Sequence, residues 1–202
     1  EAIQLIRQEL PADIPLIGFG GAPFTLASYA IEGKGSRNYI FVKRLMYGDE
    51  SAWNELLTKI TTITVDYLNY QIDSGVQAVQ IFDSWVGCLS PQDYRDFVLP
   101  HSRRLIESIS GRVPIIHFGT GNPALLSLMA DAGCDVMALD WRAPLVESWD
   151  KIGAMSVQGN LDPIILCGEK QYVEQRATEL LQEVNGRPGH IFNLGHGIIP
   201  ET

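Results

Sequence analysis

A histidine held between two glycines closes the segment HIFNLGHG, residues 190–197. Ile191, Phe192 and Leu194 read as a short buried strand that stops at Gly195, His196 and Gly197. Glycine on both sides lets the backbone turn tightly and lets a second molecule come close, so the His196 imidazole either meets a ligand or caps its loop. Two further segments place hydroxyls in comparable positions. In FGGAPFTLASYAIEG, residues 19–33, the glycines allow a turn into a helix whose amino end can face an anion. Tyr29 lies on that helix, where its phenol either donates to a carboxylate or packs half-buried. In FDSWVGCLSP, residues 82–91, Ser84 either bonds a ligand or caps its loop, and Asp83 either serves the strand exit or pairs with a neighbouring Arg. Trp85 and Trp141 read as packing residues, with pocket lining as the alternative. His101 is expected on a helix surface and His190 at the non-catalytic start of a strand. His117 sits inside a strand, without the cysteine spacing of a metal site.

Six short apolar runs supply the frame for these residues: 15–19, 78–82, 114–118, 135–139, 155–159 and 190–194. They are continuous rather than alternating, as strands buried on both faces of a parallel sheet are. Each gives way to glycine or polar residues. Between them the pattern predicts helices over 24–31, 52–74, 91–110, 123–132, 144–152 and 169–184. The second is the longest, with Leu56, Leu57, Ile60, Ile63, Tyr67 and Leu68 expected on its apolar face. Pro100 is expected to kink or split the third. Unbroken strand–helix alternation predicts a parallel α/β architecture. A closed barrel of eight such units takes roughly 250 residues. Six units in 202 residues therefore predict a single domain over 1–202, a partial (β/α)8 TIM barrel lacking about two amino-terminal strands and the final helix. Residues 1–10 read as an amphipathic helix entered partway along. The alternative is a doubly wound six-stranded sheet, against which stands the lack of a glycine-rich dinucleotide turn after the first strand.

Composition narrows the class. Hydrophobic residues make up 46% of the chain and charged residues 19%, enough apolar material for a large core. A formal net charge of −9 argues against nucleic acid, which needs a basic surface. No apolar run approaches the ~18 residues of a membrane span, and no secretory leader is read at the amino end. Cys88, Cys134 and Cys167 are odd in number and far apart, which fits reduced thiols in the cytoplasm. The GKGS run at 33–36 is no phosphate loop, because Ser28 stands where the first glycine belongs.

GFGGAPFTLASYAIEGKGS, FDSWVGCLSP, VQGNLDP and GHIFNLGHG together, in this order, resemble the uroporphyrinogen decarboxylase family across essentially all 202 residues. The resemblance implies a (β/α)8 barrel that removes CO2 from the acetate arms of uroporphyrinogen without cofactor or metal, in a cytoplasmic homodimer. It implies that Tyr29, Ser84 and His196 bind the substrate. It also implies an arginine-rich segment and a ring-facing catalytic aspartate, neither of which can be assigned to any residue here; by that reading they lie upstream of residue 1 and the chain alone is inactive. A polyanionic substrate on an acidic protein calls for a local basic patch. Lys34 and Arg37 are candidates for its rim, solvated surface being the plainer reading. Two alternatives stay open. One is a methyltransferase of the cobalamin or methionine-synthase type; its relatives carry a His-x-Cys pair where this chain has His117-Phe118-Gly119. The other is a barrel that binds a tetrapyrrole without turnover.

Overall fold

A computed structural model of the chain describes every residue except Ala154. Six parallel strands form one sheet: β1 (Ile17–Gly21), β2 (Ala78–Asp83), β3 (Ile115–Gly119), β4 (Val136–Ala138), β5 (Ser156–Gln158) and β6 (His190–Ile191). Their spatial order is their order in the chain. Each strand pairs with the next, from Ile17↔Ala78 in the first ladder to Val157↔His190 in the last. A doubly wound sheet reverses its strand order at a switch point. No reversal occurs here, so the sheet is a run of consecutive barrel staves and the doubly wound alternative falls.

Helices cover the outer face: α1 (Ala2–Glu9), α2 (Pro23–Glu32), α3 (Ile40–Gly48), α4 (Glu50–Asp73), α5 (Pro91–Phe97), α6 (Leu99–Ile109), α7 (Leu126–Ala130), α8 (Leu145–Ile152) and α9 (Lys170–Val184). Their ends follow local chemistry. Pro23 opens α2, where its missing N–H costs nothing, and Gly33 closes it at φ 74°. Ser90 and Asp93 form a reciprocal capping box at the start of α5. The helix read across Pro100 is split at Val98 into α5 and α6, as expected.

Four readings of the sequence need correction. α3 is a helix that the apolar pattern did not announce. It starts at Tyr39 in left-handed backbone with no side-chain cap. α7 begins later than expected, because Leu125 folds back onto the Asn122 carbonyl (2.8 Å) in a tight turn. The inner face of α4 is Trp53, Leu57, Thr61, Thr64, Leu68 and Gln71, whereas Ile63 and Tyr67 are exposed. Gln71 earns its inward place by pairing with both backbone groups of Phe19, accepting from its N–H (3.0 Å) and donating to its C=O (2.8 Å). His101 is buried against α4, its Nε2 3.0 Å from Asn54 Oδ1, and is not a surface residue. α1 forms as read but buries none of its residues.

The core has two layers. The larger lies between sheet and helices and holds Trp53, Ile81, Ile106, Met129, Met137 and Trp149. The smaller lies on the opposite, concave face of the sheet, where Ile116, Phe118, Val136 and Ala138 cluster with Phe82.

Candidate functional site

The two-residue period of a strand sends neighbours to opposite faces. Along β2, Val79, Ile81 and Asp83 are buried under the helices, while Gln80 and Phe82 face the concave side. Ser84, one residue past the strand, continues toward that side. A cavity of about 410 Å³ sits there, lined by Ser84, Phe82, Phe118, Ala138, Gln158, Asn193 and His196 among others. Its floor is aromatic and aliphatic; of its polar groups, Gln80 projects from the middle of β2 and the others lie at the ends of strands or just beyond them. Gln158 Nε2 approaches Gln80 Oε1 at 3.4 Å across it.

His196 reaches the cavity from the loop after β6. Phe118 and Trp141 flank its ring edge-to-face, with centroids 6.0 and 5.9 Å away. Gly195 is required just before it, because a Cβ there would fall on the Trp141 backbone. The Arg142 guanidinium lies 3.6 Å over the Trp141 ring. Arg142 is tied in turn to Asp140, Nη1 to Oδ2 at 2.7 Å. Asp140 is fully buried and also accepts from the Gly121 N–H (2.9 Å) and the Arg142 N–H (2.8 Å). The exit of β4 thus stiffens the aromatic wall behind the imidazole. Of this group only Trp141 had drawn a reading from the sequence; aspartate, tryptophan and arginine in succession at a strand exit are the signal that could have found the rest.

Tyr29 is placed differently. It is 46% exposed and packs edge-to-face on Trp85, with centroids 5.7 Å apart. Ser84 and His196 share the cavity wall; Tyr29 does not line it. It is tied to the cavity through Trp85, the residue after Ser84.

Asp83 does not pair with an arginine. Its Oδ1 accepts from Thr25 Oγ1 on α2 at 2.9 Å, and its Oδ2 lies 3.9 Å from His117 Nε2. The second distance is beyond a hydrogen bond, so the contact is one of charge. The ladder explains it: Ile81 is level with His117 and Asp83 with Gly119, which puts both side chains on the helix face. Both are fully buried. Burial alone would lower the His117 pKa, but the Asp83 carboxylate and the Cys134 thiol prevail and raise it to about 9. Thr25 Oγ1 also accepts from the Trp85 N–H at 3.4 Å. One buried carboxylate therefore joins the Ser84 exit to the helix that carries Tyr29. His117 had read as an isolated strand residue; its partners are distant in sequence and only the register brings them together.

Among the described residues no group of three or more His, Cys, Asp and Glu side chains is placed to hold a metal ion, and no helix is long and apolar enough to cross a membrane. Cys88, Cys134 and Cys167 are free thiols.

Comparison with known proteins agrees with this geometry. The family model for uroporphyrinogen decarboxylase (URO-D) matches residues 1–202. The chain is 54% identical over 204 residues to a uroporphyrinogen decarboxylase of Carboxydothermus hydrogenoformans, covering 100% of this chain and 58% of that protein. It is 52% identical to one of Sorangium cellulosum at the same coverage. The chain thus spans a little under three fifths of these relatives' length. Among solved structures, a methyltransferase from Methanosarcina mazei superposes with a TM-score of 0.86 at 22% identity, covering 100% of this chain and 58% of its own. A B12-independent methionine synthase from Shewanella gives 0.70 at 13%, covering 100% and 60%. At such identities these two likenesses speak for the fold alone. The partial barrel, the glycine-flanked histidine and the full-length family match together make the chain a member of the uroporphyrinogen decarboxylase family.

Proposed function

We propose that the chain forms the substrate-binding wall of a uroporphyrinogen decarboxylase, a carboxy-lyase that converts the four acetate arms of uroporphyrinogen III to methyl groups and yields coproporphyrinogen III. The observation that carries this reading is the cavity at the strand exits. A hydroxyl from Ser84 and an imidazole from His196 meet over an apolar floor wide enough for a pyrrole-sized group. That combination suits a flat ring with acidic arms.

The chemistry needs an electron sink. Protonation of a ring carbon makes the pyrrole cationic. The C–C bond to the carboxylate then breaks, its electron pair flows into the ring, and CO2 leaves an exocyclic methylene; a second proton completes the methyl group as the ring carbon gives up the first and the pyrrole becomes aromatic again. No cofactor is required. Ser84 and His196 hold or polarise an acidic arm, and Tyr29 bonds another from the rim. The apolar floor strengthens each such bond by keeping water away. The carboxylate that answers the ring charge is assigned to no residue of this chain. The same reading makes the enzyme a cytoplasmic homodimer with no nucleic-acid or membrane partner.

His117, at the position where the methyltransferase relatives are expected to carry a metal-binding histidine, faces the helix layer and not the cavity. That placement favours the decarboxylase. The test is the polypeptide at the full length of its relatives, given uroporphyrinogen III under reducing conditions. Stepwise loss of carboxylates, read by chromatography of the oxidised products, is expected; full recovery of the eight-carboxylate starting material would sink the proposal.

A further inference from the structure

A second cavity of about 320 Å³ opens beside the first, and Ser84 lines both. Two guanidinium-bearing residues line it, Arg37 from the loop after α2 and Arg142 from the exit of β4. They are far apart in sequence and brought together only by the barrel. Arg142 is partly answered by Asp140. Arg37 enters no ion pair among the described residues.

The same wall holds Tyr39, Trp85 and Thr120. Each carries a buried donor with no hydrogen-bond partner, respectively the phenol Oη, the indole Nε1 and the hydroxyl Oγ1. Unpartnered buried polar groups are uncommon and call for an explanation. Three in the wall of one cavity, all able to donate, beside two cations, describe surroundings suited to an anion. Burial pushes the Tyr39 phenol up to about 12, so it keeps its proton and its capacity to donate. The Arg37 side chain is exposed, which leaves it free to swing onto an arriving group.

We propose that this cavity is a carboxylate subsite, which grips one acidic arm of the polycarboxylate substrate while another arm reacts in the neighbouring cavity. The inference rests on the decarboxylase reading and adds a place for a non-reacting arm. Ser84 stands at the junction, so the two arms are held on either side of one residue. The subsite also supplies the local positive charge that a chain of net charge −9 needs to attract a polyanion.

The experiment uses the full-length polypeptide and uroporphyrinogen III, with Arg37→Gln, Arg37→Lys and Arg142→Gln. Lys170→Gln, at a distant and highly exposed position, controls for the loss of one positive charge. Solvent screens exposed guanidinium groups, so each Arg→Gln change is expected to raise KM about three- to tenfold with kcat within about twofold. Arg37→Lys should recover part of the loss, the KM effect should shrink as salt is raised, and Lys170→Gln should leave KM alone. Arg142→Gln also strips a partner from buried Asp140, so Arg37 decides if that variant misfolds. An unchanged KM in Arg37→Gln, or a fall in kcat at constant KM, overturns the subsite while leaving the decarboxylase standing. Failure of the unsubstituted protein to release CO2 overturns the functional reading and the subsite with it.

Discussion

Tyr29 and His196 differ in surroundings enough for substitution to separate what they do. His196→Asn and Tyr29→Phe remove hydrogen-bonding capacity while roughly keeping shape. If both side chains hold substrate arms, each change in the full-length enzyme should lower kcat/KM by about ten- to a hundredfold, the worth of a lost bond to a charged group. Melting temperatures measured on the same samples should stay within a degree or two. A lowered melting temperature with untouched kinetics would return either residue to packing, and Tyr29, with its ring against Trp85, is the more exposed to that outcome. His117 makes a different prediction. Its folded value of about 9 stands above the ordinary 6.5, so the charged ring stabilises the fold. That stabilisation is complete below pH 6.5 and vanishes as pH rises through 9, a loss of at most about 3 kcal/mol. Urea melts between pH 6 and 9.5 should show the decline, and His117→Gln should cost stability at the acid end but little at the alkaline end. A flat profile for the unsubstituted protein would mean that the pair is uncharged. Neither partner of this pair was legible as such. Asp83 and Ser84 are adjacent in sequence, yet the pleat sends one under the helices and the other into the cavity, and only the register with β3 shows what each meets.

At the scale of elements, the loop after β6 is the most sharply constrained. Gly195 approaches the Trp141 backbone so closely that any Cβ must displace main chain rather than a flexible side chain. Gly195→Ala is expected to cost about 2–3 kcal/mol and to lower kcat/KM as well, because His196 follows directly. Differential scanning calorimetry beside steady-state kinetics checks both; a variant with wild-type stability would show that the loop can move away. All six strands were legible as short continuous apolar runs, but the burial read for the two edge strands was not borne out: Ile17 and Phe19 in β1, and Ile191 and Phe192 at β6, are exposed. α2, opened by Pro23 and closed by Gly33, and α8, closed by Gly153, were legible too. α3 was not, since IFVKRLMYG is rich in β-branched and aromatic residues and opens without a cap. The face of α4 was misjudged because polar residues fill part of it: Thr64 donates to the Ile60 carbonyl and Gln71 pairs with both backbone groups of Phe19, Thr61 is buried beside them, and Ile63 and Tyr67 turn out to solvent.

At the scale of the molecule, the sheet has two ends. Among the described residues β1 has no strand beyond it and β6 has none on its far side. Only Phe19 in β1 has its free backbone groups met by a side chain, that of Gln71. Ile17 and Phe19 expose 47% and 61% of their surface on that same strand. Unpaired strand edges with apolar side chains recruit other chains. The 202-residue polypeptide made alone is therefore expected to associate as its concentration rises, seen as a growing mass in light scattering behind size exclusion. A monodisperse monomer across the micromolar range would contradict this.

The consecutive order of the strands also bears on how the chain is made. Each strand's partner is the one synthesised just before it. At ~5–20 residues per second, a ribosome releases successive strands seconds apart, far longer than the microseconds in which short elements form. From β2 onward every strand emerges beside a template already standing, and none waits for a partner still inside the exit tunnel. Nascent chains stalled after β3 should already protect the amides of β2 from exchange, and growth of the sheet should track translation stave by stave.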